Sequence, residues 1–94
     1  SQCGAAVYGR LNSATFKNCV FHDNSDDGIF VGGATIHIHG EATAIHSNAN
    51  NGIYALGETA KVIIHLPSHH NTIYNNRGQD RKTDRGGTIT NVED

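Results

Sequence analysis

The chain has 94 residues and a formal charge of −2, which leaves room for one domain and excludes a strongly basic nucleic-acid binder. Leu, Ile, Val and Phe together number only 20, while Gly (11), Asn (10), Ala (9) and Thr (8) supply the bulk, so a thick globular core is excluded. No apolar run approaches the length of about 18 residues that a membrane-spanning helix needs, and no charged-then-apolar leader is read.

In chain order, the first predicted element is Gly4-Ala5-Ala6-Val7-Tyr8, which returns as Gly28-Ile29-Phe30-Val31-Gly32 and Gly52-Ile53-Tyr54-Ala55-Leu56 at spacings of 24 and 24 residues. A second follows it as Ala14-Thr15-Phe16-Lys17, then Ala34-Thr35-Ile36-His37, Ala60-Lys61-Val62-Ile63 and Gly87-Thr88-Ile89-Thr90. A third closes each unit: Phe21-His22-Asp23-Asn24, Ile45-His46-Ser47-Asn48 and Ile73-Tyr74-Asn75-Asn76. The apolar runs are short, alternate with a period of two and are cut by Gly, Asn and Ser, which is strand patterning and leaves no window for a helix. One strand triplet cannot bury its apolar side alone, whereas stacked coils share a continuous core. The expected fold is therefore all-β: a short right-handed parallel β-helix of about four coils with three strands each. One domain over 1–94 divides into coils at about 4–27, 28–51, 52–77 and 78–94.

On the Gly-Ile-Phe/Tyr segments at 28 and 52 and the Ile/Phe-x-x-Asn closures at Asn24, Asn48 and Asn76, the pattern resembles the right-handed parallel β-helix repeats of pectate-lyase-like proteins and of F-box β-helix proteins. The resemblance covers residues 4–76 and resumes at Gly86. It implies the fold and leaves the activity open, since such solenoids host lyases, hydrolases, epimerases and pure binding modules.

Stacking makes each repeat position a column. Ala5, Ile29 and Ile53, and Val7, Val31 and Ala55, are expected to point inward. Phe16, Ile36, Val62 and Ile89 are expected to form a second inward column, and Phe21, Ile45 and Ile73 a third. Asn24, Asn48 and Asn76 are expected to form an amide ladder at a corner, with Asn18 and Asn91 at a similar corner after the second strand. Phe30 and Tyr54 are expected to stack outward above Ala6, as a patch for a sugar or a protein. Thr15, Thr35 and Thr88 align in an ice-binding type of column that Lys61 interrupts.

Seven histidines are the unusual composition. His22 is expected beside His46 and Tyr74, and His39 beside His65. His37 shares the strand face of His39, so His37, His39 and His65 offer three ligands to zinc or another divalent metal, although no cofactor is required. Coil 3 departs from the repeat at Leu66-Pro67-Ser68-His69-His70-Asn71, and Gln79 to Arg85 is expected to replace the first strand of coil 4 with a loop. Insertions in solenoids gather on the functional face, so His65, His69, His70, Arg81 and Arg85 join Phe30 and Tyr54 as candidate ligand-binding residues.

Catalytic residues are not assigned. Asp23 with Asp26-Asp27, and Asp80 with Asp84, are the only acid clusters, and Arg10, Arg77, Arg81 and Arg85 are all expected in loops rather than on strand faces. The leading functional reading is a non-catalytic binding or assembly module, with carbohydrate as the ligand class. Two other readings stand beside it: a fragment or relative of a polysaccharide-active lyase, hydrolase or epimerase, and a histidine-column metal-binding protein. Self-association through open solenoid ends is expected, with no nucleic-acid or membrane partner. The absent methionine favours a fragment or a processed chain. Cys3 and Cys19 make no disulfide framework, so the compartment stays open.

Overall fold

Strand formation follows the alternation of the sequence, and a computed structural model describes residues 5–67, 70 and 72–92. Cys3, Gly4, Ser68, His69 and Asn71 lie outside the described residues. Eleven strands appear among those described, and every pairing between them is parallel. Successive strands go to different sheets, so each coil contributes one strand to each of three faces. The first sheet holds β1 (Ala5–Tyr8), β4 (Ile29–Gly32), β7 (Ile53–Leu56) and β10 (Arg81–Asp84). The second holds β2 (Ser13–Lys17), β5 (Thr35–His39), β8 (Lys61–Ile64) and β11 (Thr88–Asn91), and the third β3 (Val20–His22), β6 (Ala44–His46) and β9 (Ile73–Tyr74). The protein is a parallel β-solenoid of about four coils.

The core is a set of columns. On the first sheet Ala5, Ile29 and Ile53 pair in register, as do Val7, Val31 and Ala55. Phe21, Ile45 and Ile73 do so on the third. Ile29, Ile36, Ile38, Ile45, Ile53 and Ile64 are completely buried, each burial stabilising the fold by roughly 1.5–3 kcal/mol.

The second sheet corrects the expected register. Phe16 pairs with Ile38 rather than Ile36, and Ala14 takes the place beside Ile36, Val62 and Ile89. Thr15 accordingly stands beside His37, apart from Thr35 and Thr88, and the threonine column dissolves. The cause is turn length: β1 ends at Tyr8 and β2 begins at Ser13, whereas β4 ends at Gly32 and β5 begins at Thr35. The matching Ala-Thr pairs in the sequence straddle turns that differ by two residues.

Gln79 to Arg85 also differs from the expectation of a loop. Arg81–Asp84 is a full strand with Arg81 beside Ile53 and Asp84 beside Leu56. Its sequence has no apolar alternation, but β7 offers a parallel row of backbone partners, and the ladder imposes extended geometry on what falls opposite it. Arg81 therefore lies on a strand, while Arg10, Arg77 and Arg85 lie in turns and bends. Asn91 is likewise no corner residue. It belongs to β11, beside Ile64, whereas Asn18 turns a corner at φ 53°.

Two corner devices keep the coils in step. Asp23, Ser47 and Asn75 adopt left-handed φ values of 55°, 57° and 54°, and each is followed by a ladder asparagine. Asn24 Nδ2 donates to Asn48 Oδ1 at 2.8 Å and Asn48 Nδ2 to Asn76 Oδ1 at 2.8 Å. Asn76 Nδ2 ends the ladder on Asp80 Oδ1 at 2.9 Å. Each acceptor oxygen also takes a backbone N–H of the residue below, so buried corner groups are satisfied. Gly28 and Gly52 sit where coils approach closely: a Cβ on Gly52 would lie 2.5 Å from the Asp80 carbonyl oxygen and 2.6 Å from Ile73 Cγ2.

Candidate binding surfaces

Outward positions of the first sheet form an aromatic row. Ala6, Phe30, Tyr54 and Lys82 align in one column, and Tyr8, Gly32, Leu56 and Asp84 in the next. Gly32 has no side chain to occupy the space beside Tyr8, so that ring leans across onto Phe30 with centroids 5.4 Å apart and planes tilted by 51°. Phe30 meets Tyr54 at 5.4 Å, edge to face at 81°. Lys82 Nζ lies 5.1 Å from the Tyr54 ring centroid, a cation–π distance. The Tyr54 hydroxyl donates to Asp84 Oδ2 at 2.7 Å, and this bond to a carboxylate pushes the phenol above its usual pKa.

The turns entering β4 and β7 supply a polar wall beside this row. Asn50 Nδ2 donates to Asp26 Oδ1 at 3.0 Å, and Asn51 donates through its backbone N–H and Nδ2 to Asp27 Oδ1, both at 3.0 Å. Asp27 is buried, and burial pushes its carboxyl above the ordinary range against the opposing effect of the Asn51 bonds. Between wall and row lies an open groove of about 300 Å³ lined by Tyr8, Asp26, Asp27, Phe30, Asn50 and Tyr54. Of these, sequence reasoning picked out Phe30 and Tyr54. Tyr8 was legible only through its register with Gly32. The Asp26-Asp27 and Asn50-Asn51 pairs stand out in the repeat without announcing that they border the aromatic face.

The second sheet carries the histidine cluster on its outward side. His37 and His39 alternate with the buried Ile36 and Ile38 of β5, so both point outward, with ring centroids 6.4 Å apart. His65 follows β8, its backbone N–H donating to the Ile38 carbonyl at 2.7 Å, which sets it beside His39. The His39 and His65 rings stack at 4.0 Å and 7°. His37 Nδ1 lies 3.0 Å from His65 Nε2, a contact in which one ring donates and the other accepts. One ring nitrogen from each of the three falls within 4.8 Å of the others. A separate stack runs up the third sheet: His22 and His46 at 5.3 Å, then His46 and Tyr74 at 5.1 Å.

The remaining candidates do not converge on either surface. His70 Nε2 is 3.2 Å from the Glu41 carbonyl, and Thr72 donates to the His70 carbonyl at 3.3 Å, so His70 stitches the coil 3 insertion onto the turn below. Arg81 Nη2 donates to Asn91 Oδ1 at 2.6 Å, and Arg85 stands exposed at a corner with φ 53°. Another open groove, of about 470 Å³, follows the asparagine corner and is lined by Asp23, Ser25, Ser47, Asn48, Asn75 and Arg77 among others. No family model, curated protein or solved structure matches the chain.

Proposed function

We propose that the protein is a non-catalytic binding module that holds a carbohydrate chain along the outward face of its first sheet. The observation that carries this reading is the groove between the Tyr8–Phe30–Tyr54 row and the Asp26, Asp27 and Asn50 wall. Apolar ring faces of sugars pack on aromatic side chains, while carboxylates and amides at the rim exchange hydrogen bonds with hydroxyls. Neighbouring rings of the row lie 5.4 Å apart, centroid to centroid, so Tyr8, Phe30 and Tyr54 present one continuous aromatic surface. The rungs are set by backbone pairing, so the surface is organised before any ligand arrives, which lowers the entropy lost on binding.

The test is affinity electrophoresis in gels containing neutral glucan, xylan or mannan, or acidic polygalacturonate or alginate. Wild type is expected to be retarded by at least one of these. Phe30→Ala is expected to lose the retardation while keeping the circular dichroism spectrum. Unimpeded migration in every gel, or undiminished retardation of Phe30→Ala, defeats the reading. Reducing ends or unsaturated products accumulating with time would replace it by the enzyme class.

A further inference from the structure

We infer that His37, His39 and His65 form a binding site for a divalent transition-metal ion of the zinc type, on a face separate from the aromatic groove. The argument begins with placement. Two ligands come from alternate positions of one strand and the third from the neighbouring coil, where the backbone bond from His65 N–H to the Ile38 carbonyl holds it. These Cα positions are fixed by the parallel ladder, and only ring torsions remain to be set.

The distances suit such an ion. Zinc–nitrogen bonds of about 2.0–2.1 Å at a tetrahedral angle separate neighbouring ligand nitrogens by about 3.3 Å. His37 Nδ1 and His65 Nε2 are 3.0 Å apart, so an ion inserted between them asks for only a few tenths of an ångström of spreading. The widest separation among the three donor atoms is 4.8 Å at most, and closing it requires the His39 ring to turn out of its stack on His65. Imidazole rotation about its second side-chain torsion is soft, and all three rings are only half-buried, so no core packing opposes that motion.

The chemistry agrees with the geometry. Neutral imidazole is a borderline ligand suited to zinc, copper, nickel and cobalt, and no carboxylate belongs to the cluster among the described residues, which disfavours calcium and magnesium. Coordination requires the two facing nitrogens of His37 and His65 to give up the proton they share. That proton moves to the far nitrogen of its own ring through tautomerisation, so neutral rings bind without net proton release. Three protein nitrogens leave a fourth position to water.

The test titrates the metal-free full chain with cobalt(II), read by visible absorption, and with zinc(II), read by calorimetry and melting temperature. One equivalent of zinc is expected to bind and to raise the melting temperature as its free concentration rises. Cobalt is expected to give the intense visible bands of a four-coordinate ion. His37→Gln and His39→Gln are each expected to weaken binding at least tenfold, while His22→Gln and His46→Gln, which alter the other histidine stack, leave it unchanged. Absence of saturable binding, binding that survives both His37→Gln and His39→Gln, or binding lost in His22→Gln overturns the proposal. Both test substitutions lie on an outward strand face, and circular dichroism of each variant separates loss of ligand from loss of fold. None of these readouts depends on the carbohydrate reading.

Discussion

Arg81 and Asn91 meet over the inward columns of the last described coil, Arg81 Nη2 donating to Asn91 Oδ1 at 2.6 Å. Arg81 continues the column of Ile29 and Ile53, and Asn91 continues that of Ile38 and Ile64. Asn91 Nδ2 donates onward to the Leu66 carbonyl at 2.9 Å, so the polar pair is tied to the coil beneath it. In this coil two isoleucine columns thus pass to a hydrogen-bonded polar layer, while the Ile36–Val62 column continues with Ile89. At the opposite end the same two columns carry Ala5 and Phe16, both apolar and half-buried.

Replacing that layer by apolar side chains is expected to promote association of coils end to end. The double variant Arg81→Ile, Asn91→Ile extends both isoleucine columns to the surface and removes two polar groups that resist desolvation. Its weight-average molar mass by light scattering is expected to exceed that of wild type at equal concentration. Equal masses would show that the pair does not govern this end.

Asn48 is completely buried, and both ends of its side-chain amide are in use. Asn48→Ala strands Asn24 Nδ2 and the Asn24 backbone N–H, which both donate to Asn48 Oδ1, and takes the Nδ2 donor from the Phe21 carbonyl, at an expected cost of about 2–3 kcal/mol. Asn24→Ala, at the end of the ladder, is expected to cost less. Urea midpoints of the two variants check the order, and a reversed order would mean that the ladder is not the source of corner stability.

Burying a carboxylate in the third-sheet column is expected to separate two positions of the same column. Ile45 is completely buried, whereas Phe21 is only partly so at the edge of the stack. Ile45→Asp is expected to abolish the fold, and Phe21→Asp to leave a weakened one. Protease resistance reads the difference, and an Ile45→Asp chain as resistant as wild type would refute the column.

Arg85 occupies a corner column otherwise filled by glycine: Gly9, Gly33 and Gly57 have φ values of 96°, 79° and 110°, and Arg85 has 53°. A left-handed conformation costs a residue with a Cβ roughly 1–2 kcal/mol, part of which glycine returns through the entropy of the unfolded chain. Arg85→Gly is expected to stabilise the protein by about 0.5–1 kcal/mol, raising the melting temperature by a few degrees. A lower melting temperature would mean that the arginine makes a compensating contact.

Asp27 makes stability depend on pH. Burial raises its pKa in the folded chain above the usual 3.8, so folding favours the protonated form. Its contribution to stability is therefore complete below the unfolded value and is lost as pH rises through the raised native value. Asp27→Asn keeps an oxygen for the two Asn51 bonds and carries no charge. The variant is expected to be more stable than wild type at pH 7, with the gap narrowing on acidification toward pH 4. A gap that widens on acidification contradicts the assignment.

The three-faced solenoid is legible in the sequence alone, because the alternation of the strands in the first three coils and the Gly or Asn at their corners are local features that repeat every 24 to 28 residues. The sequence also placed the asparagine ladder, the outward Phe30 and Tyr54, and the pairing of His39 with His65. The tertiary structure alone decided the register of the second sheet, where turns of unequal length put Phe16 beside Ile38, and the strand at Arg81–Asp84, where a parallel ladder overrides an unfavourable composition. It alone brought Tyr8 onto Phe30, set Asp26 and Asn50 along the same groove, and turned His37 diagonally toward His65. Periodicity is written in spacing along the chain, but contacts between coils depend on how many residues each turn consumes, and only the closed stack of backbone hydrogen bonds fixes that count.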